Sequence, residues 1–422
     1  MNPKAPPGRN RPGTPKFCGT PKCCGTPKSC GIPKFWGTPK SWGTPLGAAL
    51  GVFVTLSFAL GLLGGPLRPS RDPKPDRAAP CRPVSHIVFL KTHKTGGSSV
   101  VNVLSRYGES RQLRFALPQR YQFRYPEPFR AESVRGFRQG ETFDIICHHM
   151  RFSPTEVQRV MPNDSFYFSI VRDPGTQGAS AFSYFRAAAA AFRRAPSLDA
   201  FLAAPRRFFG PGGRGAGLAR NPQWFDFGLP EPAAAAEVPA LLARLERRFP
   251  LVLLAERFDE SLVLLRHRLC WPRAAVDVFA HNARGGAAAP SAAQRRRLRA
   301  WNALDWALYS HFNRSFWRHV ERFGAARLQQ EAAELRRRRR RLQERCLRGA
   351  GPVPAGAIAE PRLRPFQPPG AEHAVLGFAL RPGLPPAERR RCGRMALPEL
   401  PYTDLLARRQ FGNGSATEWD DF

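Results

Sequence analysis

Acidic residues are scarce in this chain: 32 Asp and Glu stand against 66 Lys and Arg among 422 residues, and the formal charge is +34. An excess of this size favours anionic partners such as nucleotides, sulfated glycans, nucleic acid or an anionic membrane face. Compositional drift towards Arg on solvated surfaces explains the same charge equally well. The charge therefore narrows the class of partner without identifying one.

Three patterns that would point to other chemistry are missing. The nine cysteines include no CxxC pair and no zinc-ligand spacing. The Walker order GxxxxGK[ST] is absent, because the Lys of the turn at 91–99 precedes its glycines, and this weakens an ATP-binding interpretation. GxGxxG, which a dinucleotide-binding fold requires after its first strand, is also absent there.

The N-terminal part predicts a tail, a membrane anchor and a stem. Residues 13–45 repeat a six-residue unit containing Gly and Pro, which is incompatible with helix or sheet, so we assign 1–45 to a cytosolic tail. Residues 46–65 carry no charge over 20 positions, the length that a bilayer core requires, and predict a transmembrane signal anchor. The Pro-rich, charged stretch at 66–83 predicts an extended stem.

Basic residues flank the predicted anchor almost equally, so the charge balance does not fix its orientation. Three N-x-S sequons beyond the anchor favour a luminal position for that part of the chain: Asn163, Asn313 and Asn413. Five cysteines lie there as well: Cys81, Cys147, Cys270, Cys346 and Cys392. Because five is odd, at least one of them is free or pairs with another chain.

Strands and helices alternate from residue 84 onward. Apolar runs predict strands at 86–90, 143–149, 165–171 and 249–256, and helical patterns follow at Ser98–Tyr107, Thr176–Phe185, Asp259–Leu269 and 325–347. This alternation predicts an α/β fold with a central parallel sheet flanked by helices, here assigned to 84–347. We expect six consecutive Arg, 336–341, to lie on a solvated helix. The Pro-rich residues 348–422 predict a C-terminal extension of short elements or partial disorder.

The turn after the first strand, LKTHKTGGSS, predicts an anion site. Two consecutive glycines let the backbone fold tightly against a ligand, and the following helix directs its free N–H groups into the turn. Lys94 adds a full charge, and Thr95, Ser98 and Ser99 add hydroxyl donors. Together these groups suit a phosphate or a sulfate.

A second segment, SIVRDPGTQGAS, predicts a partner for that turn. Arg172 stands at the carboxyl end of a predicted strand, and Ser180 follows on the next helix. Ligands of open α/β sheets bind at the carboxyl ends of the strands, so Arg172 and the turn at 91–99 are expected to converge on one ligand with two anionic ends. Gly178 occupies a helical position where a better helix former is expected.

These motifs, with ICHHMRF, LVLLAERFDESLVLL and WNALDWALYSHFNRSFW, resemble the galactose 3-O-sulfotransferases of the Golgi. The resemblance covers the anchor and most of 84–410. It implies a P-loop-like sulfotransferase fold that is preceded in sequence by one transmembrane helix. It also implies a type II membrane protein whose catalytic domain is luminal. It also implies transfer of a sulfuryl group from 3′-phosphoadenylyl sulfate (PAPS) to the 3-hydroxyl of a terminal β-galactose. O-glycans of the type Galβ1-3GalNAc are the expected acceptors among galactose-terminated glycoproteins and glycolipids.

The resemblance also assigns roles to residues. Lys94 is expected beside the bridging oxygen of the phosphosulfate as a catalytic group, and Arg172 with Ser180 at the 3′-phosphate. His149 is the expected general base, with His148 and His93 as alternatives, because imidazole takes up protons near neutral pH. The full set expected to bind PAPS is Lys94, Thr95, Gly96, Gly97, Ser98, Ser99, Arg172, Ser180, Asn282 and Arg284. No metal is required, and no nucleic acid is expected as a partner.

Some alternatives stay open. Two aromatic segments, Trp224–Phe227 and Trp301–Trp306, are candidates for a sugar platform, although aromatic residues at helical spacing more often belong to a core. An ATP-dependent carbohydrate kinase would use the same anion sites. A non-enzymatic membrane protein that binds acidic glycans would need only the basic charge. Salt-dependent glycan binding that survives neutralisation of Lys94 and Arg172 would distinguish the last alternative.

Overall fold

The computed structural model describes residues 81–281 and 288–412. The tail, the anchor and nearly all of the stem, together with Asn282, Arg284 and Asn413, lie outside the described residues. Within the described part, no helix is both long enough and apolar enough to cross a bilayer.

A five-stranded parallel sheet organises the described part of the chain, in the order β2-β3-β1-β4-β5. Its strands are β1 (Ile87–Leu90), β2 (Phe115–Ala116), β3 (Ile145–Ile146), β4 (Phe166–Val171) and β5 (Leu251–Leu254). A separate antiparallel pair is formed by β6 (Val353–Pro354) and β7 (Leu376–Gly377). The central strand β1 is buried along its whole length, because helices cover both faces of the sheet and its sequence is a continuous apolar run.

Fifteen α-helices are described: α1 (Gly97–Ser110), α2 (Pro154–Gln158), α3 (Pro174–Tyr184), α4 (Ala190–Arg194), α5 (Leu198–Ala203), α6 (Pro205–Phe208), α7 (Ala216–Ala219), α8 (Pro222–Asp226), α9 (Val238–Arg248), α10 (Phe258–Arg268), α11 (Ala292–Trp301), α12 (Ala303–Phe323), α13 (Ala325–Cys346), α14 (Pro386–Ala396) and α15 (Glu399–Phe411). Short 3-10 helices lie at Ala131–Ser133, Ala255–Arg257, Arg273–Val276, Ala355–Ala357 and Pro361–Leu363. Every strand and helix predicted within 84–347 has a counterpart in this list, and the predicted α/β fold with a central parallel sheet is confirmed.

The C-terminal part packs on the same core as the rest of the domain. Residues 348–385 form the predicted wrap of short elements, but two longer helices, α14 and α15, follow them. Tyr402 and Leu405 on α15 are each 1% exposed and belong to the main hydrophobic cluster with β1 and α1. The segment therefore contributes to the core, and it brings side chains from the end of the chain to the edge of the sheet.

Two disulfides tie the ends of the fold to its body. Cys81 pairs with Cys270 after α10, and Cys346 at the end of α13 pairs with Cys392 on α14. Cys147 is free and buried. The two pairings use four of the five cysteines beyond the predicted anchor and leave one free.

The arginine run on α13 is only partly solvated. Arg338 donates to Asp277 Oδ1 at 3.0 Å, and Arg339 pairs with Asp259 on α10. Arg337 and Arg340 are exposed, as expected. The helix is thus fixed to its neighbours by part of the run, while the remaining arginines carry their charge at the surface.

Candidate active site

The carboxyl ends of β1 and β4 open into a cavity of about 500 Å³. These strands are adjacent and parallel, so the residues that follow them emerge at one edge of the sheet, where ligands of open α/β sheets bind. The cavity is lined by seven of the residues predicted from the sequence: Lys94, Gly96, Gly97, Ser98, His149, Arg172 and Ser180.

The turn at 91–99 folds tightly because Lys94 and Gly96 adopt left-handed backbone conformations, with φ of 62° and 86°. Gly97 is needed for a different reason: a Cβ there would lie 2.8 Å from Cγ of Lys91. Helix α1 begins at this glycine, so its first N–H groups and the positive end of its dipole lie at the turn. This cradle fits an anionic group.

The two predicted anion-binding elements meet. Nζ of Lys94 lies 3.4 Å from the centroid of the Tyr184 ring, and both residues line the cavity. Arg172 reaches the same turn from β4, where its Nη1 donates to the carbonyl oxygen of Lys94 at 3.3 Å. Lys94 and Arg172 therefore face one cavity from two strands that are far apart in sequence.

Arg172 is held by a side chain that sequence reasoning missed. Gln223 accepts a hydrogen bond from the backbone N–H of Arg172 and donates one to its carbonyl oxygen, both at 2.8 Å. Arg172 Nε also donates to Thr176 Oγ1 at 3.0 Å. Burial lowers the pKa of the guanidinium, and Glu256 and Asp173 oppose that shift. We call the two hydrogen bonds from the Gln223 side chain to the backbone of Arg172 the backbone clamp. The clamp fixes the backbone of Arg172 and thereby the direction of its side chain.

The hydroxyl residues of the predicted site divide into two groups. Ser180 lines the cavity from α3, and Ser98 lines it from α1. Thr95 Oγ1 instead donates to the carbonyl oxygen of Thr92 at 3.1 Å, and Ser99 Oγ accepts the backbone N–H of His281 at 3.0 Å. The side chains of Thr95 and Ser99 are thus engaged inside the protein, and neither residue is among those that line the cavity.

A carboxylate from the C-terminal part lines the cavity, and no local sequence pattern predicts it. Glu399 accepts from Lys91 Nζ at 2.6 and 2.7 Å and from Ser98 Oγ at 2.9 Å. Burial alone would raise the pKa of the Glu399 carboxyl, but the charge of Lys91 and its other contacts lower the pKa below its ordinary value. Lys91, Lys94 and Arg172 leave the lining of the cavity net positive despite this carboxylate.

His149 lines the cavity, and its hydrogen-bond partner determines which ring nitrogen carries the hydrogen. Its Nδ1 lies 3.0 Å from the carbonyl oxygen of Lys91, which can only accept, so Nδ1 carries the hydrogen and Nε2 is the basic nitrogen. Burial lowers the pKa of His149 well below 6.5, and the neighbouring His93 and Lys91 lower it further. The ring is therefore neutral at neutral pH and able to accept a proton.

His93 stacks on His149, and a buried carboxylate holds it there. The two ring centroids are 3.8 Å apart and the planes differ by 7°. Asp226 accepts the backbone N–H of His93 at 2.7 Å and contacts its Nδ1 at 2.9 Å. His93 also lines the cavity, so the geometry leaves it open as the alternative base. Asp226, fully buried in an aromatic-rich segment, was not identified from the sequence.

Two helices cap each other to place Asp226. Asp305 on α12 accepts the backbone N–H groups of Gln223 and Trp224 at 3.2 and 2.7 Å, at the start of α8. In return, Asn221 Oδ1 accepts two N–H groups in the first turn of α12, at 3.2 and 3.3 Å. Burial raises the pKa of Asp305 to about 8, although the two backbone contacts oppose the shift. This reciprocal capping fixes α8, whose last residue is Asp226.

His148 is buried and contacts α15, so its role is structural. Its Nε2 lies 2.8 Å from Thr403 Oγ1, and that hydroxyl gives its own hydrogen to the carbonyl oxygen of Glu399. His148 Nε2 must therefore donate. The side chain is 1% exposed and burial lowers its pKa to about 4. His148 thus links the sheet to α15 and presents no basic nitrogen to the cavity.

The two predicted aromatic segments do not line the cavity. Trp224 is fully buried and its Nε1 donates to the carbonyl oxygen of Pro230 at 2.8 Å. Trp301 packs in a second hydrophobic cluster, and Trp306 lies under the guanidinium of Arg299. The aromatic residues at the cavity are others, namely Tyr121, Tyr184, Phe185 and Phe366.

The remaining predicted sites have different surroundings. Asn163 is exposed in the turn before β4, whereas Asn313 is half-buried within α12 and the Ser315 hydroxyl of its sequon donates to Glu246. Glycosylation of these residues stays a prediction. Asn282 and Arg284 follow His281, which lines the cavity, but they lie outside the described residues. Among the described residues, no cluster of three or more His, Cys, Asp or Glu is arranged to hold a metal ion.

Comparison with known proteins assigns the chain to a family. The sequence model of the galactose-3-O-sulfotransferases matches residues 47–410. The chain belongs to this family. Galactose-3-O-sulfotransferase 4 of Bos taurus is 44% identical to it over 87% of this chain and 93% of its own length. Galactose-3-O-sulfotransferase 2 of Homo sapiens is 46% identical over 78% and 84%, and galactosylceramide sulfotransferase of Mus musculus is 40% identical over 78% and 79%.

Family membership confirms the resemblance found in the motifs, and with it that the chain is a sulfotransferase. The kinase and the non-enzymatic alternatives are thereby set aside. The matched region includes the turn at 91–99, Arg172 and the C-terminal segment that carries Glu399. The cavity at the ends of β1 and β4 is therefore the candidate active site of a sulfotransferase.

Proposed function

We propose that this protein transfers a sulfuryl group from PAPS to the 3-hydroxyl of a terminal β-galactose, with O-glycans of the type Galβ1-3GalNAc as acceptors. One observation carries the proposal beyond family membership: Lys94 and Arg172 line a single cavity at the carboxyl ends of adjacent strands. PAPS carries a phosphosulfate and a separate 3′-phosphate, so two cationic sites within one cavity match its two charged ends.

The chain offers groups suited to each end of the donor. Lys94 and the N-terminus of α1, from Gly96 to Ser98, would hold the phosphosulfate, and Lys94 would stabilise the negative charge that develops on the leaving phosphate. Arg172 and Ser180 would hold the 3′-phosphate. Asn282 and Arg284 would be further donor-binding residues, and they lie outside the described residues. The backbone clamp of Gln223 on Arg172 keeps the second site at a fixed distance from the first.

A base must take the proton of the galactose hydroxyl as its oxygen forms the bond to sulfur. His149 meets the geometric requirement, because its Nδ1 is fixed by the Lys91 carbonyl and its basic Nε2 is free of the hydrogen. The bound donor supplies the sulfuryl group, and adenosine 3′,5′-bisphosphate leaves with the former bridging oxygen. Positioning and charge stabilisation supply most of the catalysis, as in phosphoryl transfer.

We also propose that the protein is a single-pass type II membrane protein of the Golgi with the described domain in the lumen. The motivation is the charge-free run at 46–65 together with two disulfides, since disulfides persist in oxidising compartments. Protease protection of the domain in intact Golgi vesicles tests this orientation. Digestion without detergent would contradict it.

The decisive assay is transfer of radiolabelled sulfate from PAPS to a galactose-terminated disaccharide, with linkage analysis of the product. Lys94→Ala is expected to lower the rate at least 100-fold, because the leaving charge loses its nearest cation. Arg340→Ala removes an equal charge from the exposed face of α13 and is the matched control. Full activity of Lys94→Ala, or a product sulfated elsewhere than at the galactose 3-position, would overturn the proposal.

The acceptor class is tested by comparing Galβ1-3GalNAc, a second galactose-terminated disaccharide and galactosylceramide in the same assay. The glycolipid is included because a relative named for it is 40% identical. We expect the highest kcat/KM with Galβ1-3GalNAc. A preference for the glycolipid would keep the sulfotransferase assignment and reject the O-glycan part of the proposal.

A further inference from the structure

Two large aromatic side chains are exposed at the mouth of the active-site cavity. Tyr121 is 65% exposed and Phe366 is 50% exposed, and both line the cavity. Their ring centroids are 6.3 Å apart and their planes are inclined by 41°. We call this pair the aromatic rim. Exposed apolar surface that is contiguous with a polar cavity is typical of a ligand-binding surface.

The backbone under Phe366 is braced although its ring is exposed. The side-chain amide of the next residue, Gln367, donates to the carbonyl oxygens of Pro365 and Val375 at 3.1 and 2.9 Å and accepts the N–H of Val375 at 2.9 Å. Further along the loop, the N–H of Glu372 donates to a carbonyl at the end of α3 at 3.2 Å. The ring is thus held at the cavity by a fixed loop, so little ordering entropy is lost when a ligand binds.

Tyr121 is connected to the predicted base. Phe123, two residues further on, is fully buried, and its N–H donates to the carbonyl oxygen of His149 at 3.0 Å. Gln122 lies between them and also lines the cavity. Tyr121 and Gln122 therefore line the same cavity as the predicted base, on a segment that hydrogen-bonds to the backbone of that base, while the cations Lys94 and Arg172 are on other segments.

We propose that the aromatic rim, Tyr121 and Phe366, binds the acceptor glycan by stacking against the apolar face of a sugar ring, with Gln122 contacting sugar hydroxyls. The inference rests on the proposed function and names the acceptor site of that reaction. A β-galactoside presents C–H groups on one face, and aromatic rings bind such a face. A sugar ring inserted between the two aromatic rings would need their centroids to be about 7 Å apart, which is twice the van der Waals contact distance. The observed separation is 6.3 Å, so we infer that both aromatic rings contact the same side of the sugar.

The test separates acceptor binding from donor binding. Tyr121→Ala with Phe366→Ala is expected to raise the KM for a galactose-terminated disaccharide about 10-fold or more. The KM for PAPS and the affinity for adenosine 3′,5′-bisphosphate, measured by calorimetry, should stay within 2-fold. Tyr121→Phe should restore the acceptor KM at that position, because the ring and not the hydroxyl makes the contact. A disaccharide without any lipid is the probe, so that stacking on sugar is measured.

Trp317→Ala is the matched control, since Trp317 is 39% exposed and lies away from the cavity. An unchanged acceptor KM in the double variant, with a folded and active protein, would overturn the inference. A rise in the donor KM alone would overturn it too, because the rings would then serve the nucleotide. Failure of the proposed function looks different: the wild-type protein would transfer no sulfate and would not bind the bisphosphate.

Discussion

The two sides of the cavity are built in different ways. The floor consists of the turn at 91–99 and the segment 172–180, and each follows a strand of the central sheet directly. The C-terminal wall, residues 395–403, comes from the far end of the chain. Its Glu399 contacts the floor at Lys91 and Ser98, Thr403 contacts His148, and the backbone carbonyl of Met395 contacts His281. The strands that precede the floor position it, whereas the wall is positioned by tertiary contacts, namely the buried polar pairs and the apolar packing of Met395, Leu397 and Tyr402.

This difference assigns different tasks to the two sides. Substitutions in the floor should affect chemistry and nucleotide binding, because its groups meet the ligand. Substitutions in the wall should affect folding first, because its buried contacts hold the end of the chain on the sheet. The following variants test that division, and they are ordered by the expected size of the effect.

The largest effect is expected at the histidine pair that follows β3. His149→Ala should lower kcat by a factor of about 100 or more, since a general base contributes that much. His148→Gln keeps an N–H donor for Thr403 and should retain most of kcat. Steady-state kinetics on both variants, with melting temperatures to exclude unfolding, check this prediction. A loss of kcat in His148→Gln that equals the loss in His149→Ala would contradict the assignment of His149 as the base and of His148 as a structural residue.

The next effect concerns stability. Glu399→Gln leaves the buried ammonium of Lys91 without its carboxylate and should lower the free energy of unfolding by about 3 kcal/mol. Glu388→Gln breaks an ion pair with Arg345 at the surface and should have no measurable effect, because water screens that pair. Urea denaturation of the two variants makes the comparison. Equal stability of both would contradict the role given to the wall.

A smaller effect is expected on the pH dependence of the unfolding free energy, and it arises from His281, which lies between the floor and the wall. His281 contacts Ser99 on one side and the carbonyl oxygen of Met395 on the other, and burial lowers its pKa to about 4. Its folded pKa lies below the unfolded value near 6.5, so the unfolded chain binds more protons between these values and stability falls as the pH is lowered from 6.5 towards 4.

His281→Gln removes that titration and keeps a donor for Met395. Between pH 6.5 and 5.5, the variant should lose about 1 kcal/mol less of its unfolding free energy than the wild-type protein does. Denaturant unfolding at both pH values measures the difference. The same pH dependence in variant and wild type would show that His281 does not titrate on unfolding as described.

The smallest effect is expected for Ser180→Ala. Loss of one hydroxyl contact to the 3′-phosphate should weaken binding of adenosine 3′,5′-bisphosphate about 5-fold, with kcat nearly unchanged. Ser183→Ala, on the same helix but outside the cavity lining, is the control. Calorimetric titration distinguishes the two, and equal affinities would remove Ser180 from the nucleotide site.

The floor could be predicted from the sequence because its signals are local. An apolar run, two glycines, a lysine and the start of a helix fall within fifteen residues, and Arg172 ends the next strong strand. Parallel strands then bring both segments to one edge of the sheet. The α/β pattern could therefore be predicted along with the site, and each of the four predicted strands and four predicted helices lies within a few residues of a described one. Other elements, such as β2, α9, α12 and α15, were not predicted.

The other parts could not be predicted because they reach the cavity only through tertiary packing. Glu399 and Phe366 lie more than 190 residues from Arg172, and no local pattern distinguishes them from surface residues. Asp226 could have been noticed as a single acid among Trp and Phe, a composition typical of a buried carboxylate. Gly178 was expected to be a better helix former, but a Cβ there would lie 2.7 Å from Leu298 Cδ2, so the packing of α11 on α3 explains the glycine.

The central claim is that Lys94 and Arg172 bind opposite ends of one nucleotide, and differential binding tests it most directly. Calorimetry would compare adenosine 3′,5′-bisphosphate with adenosine 5′-phosphate on wild type, Lys94→Ala and Arg172→Ala, each verified as folded by its melting curve. Lys94→Ala should weaken both ligands, whereas Arg172→Ala should weaken the bisphosphate by about 10-fold or more and leave the monophosphate unchanged. Equal losses for both ligands in Arg172→Ala, or no loss in either variant, would contradict the claim.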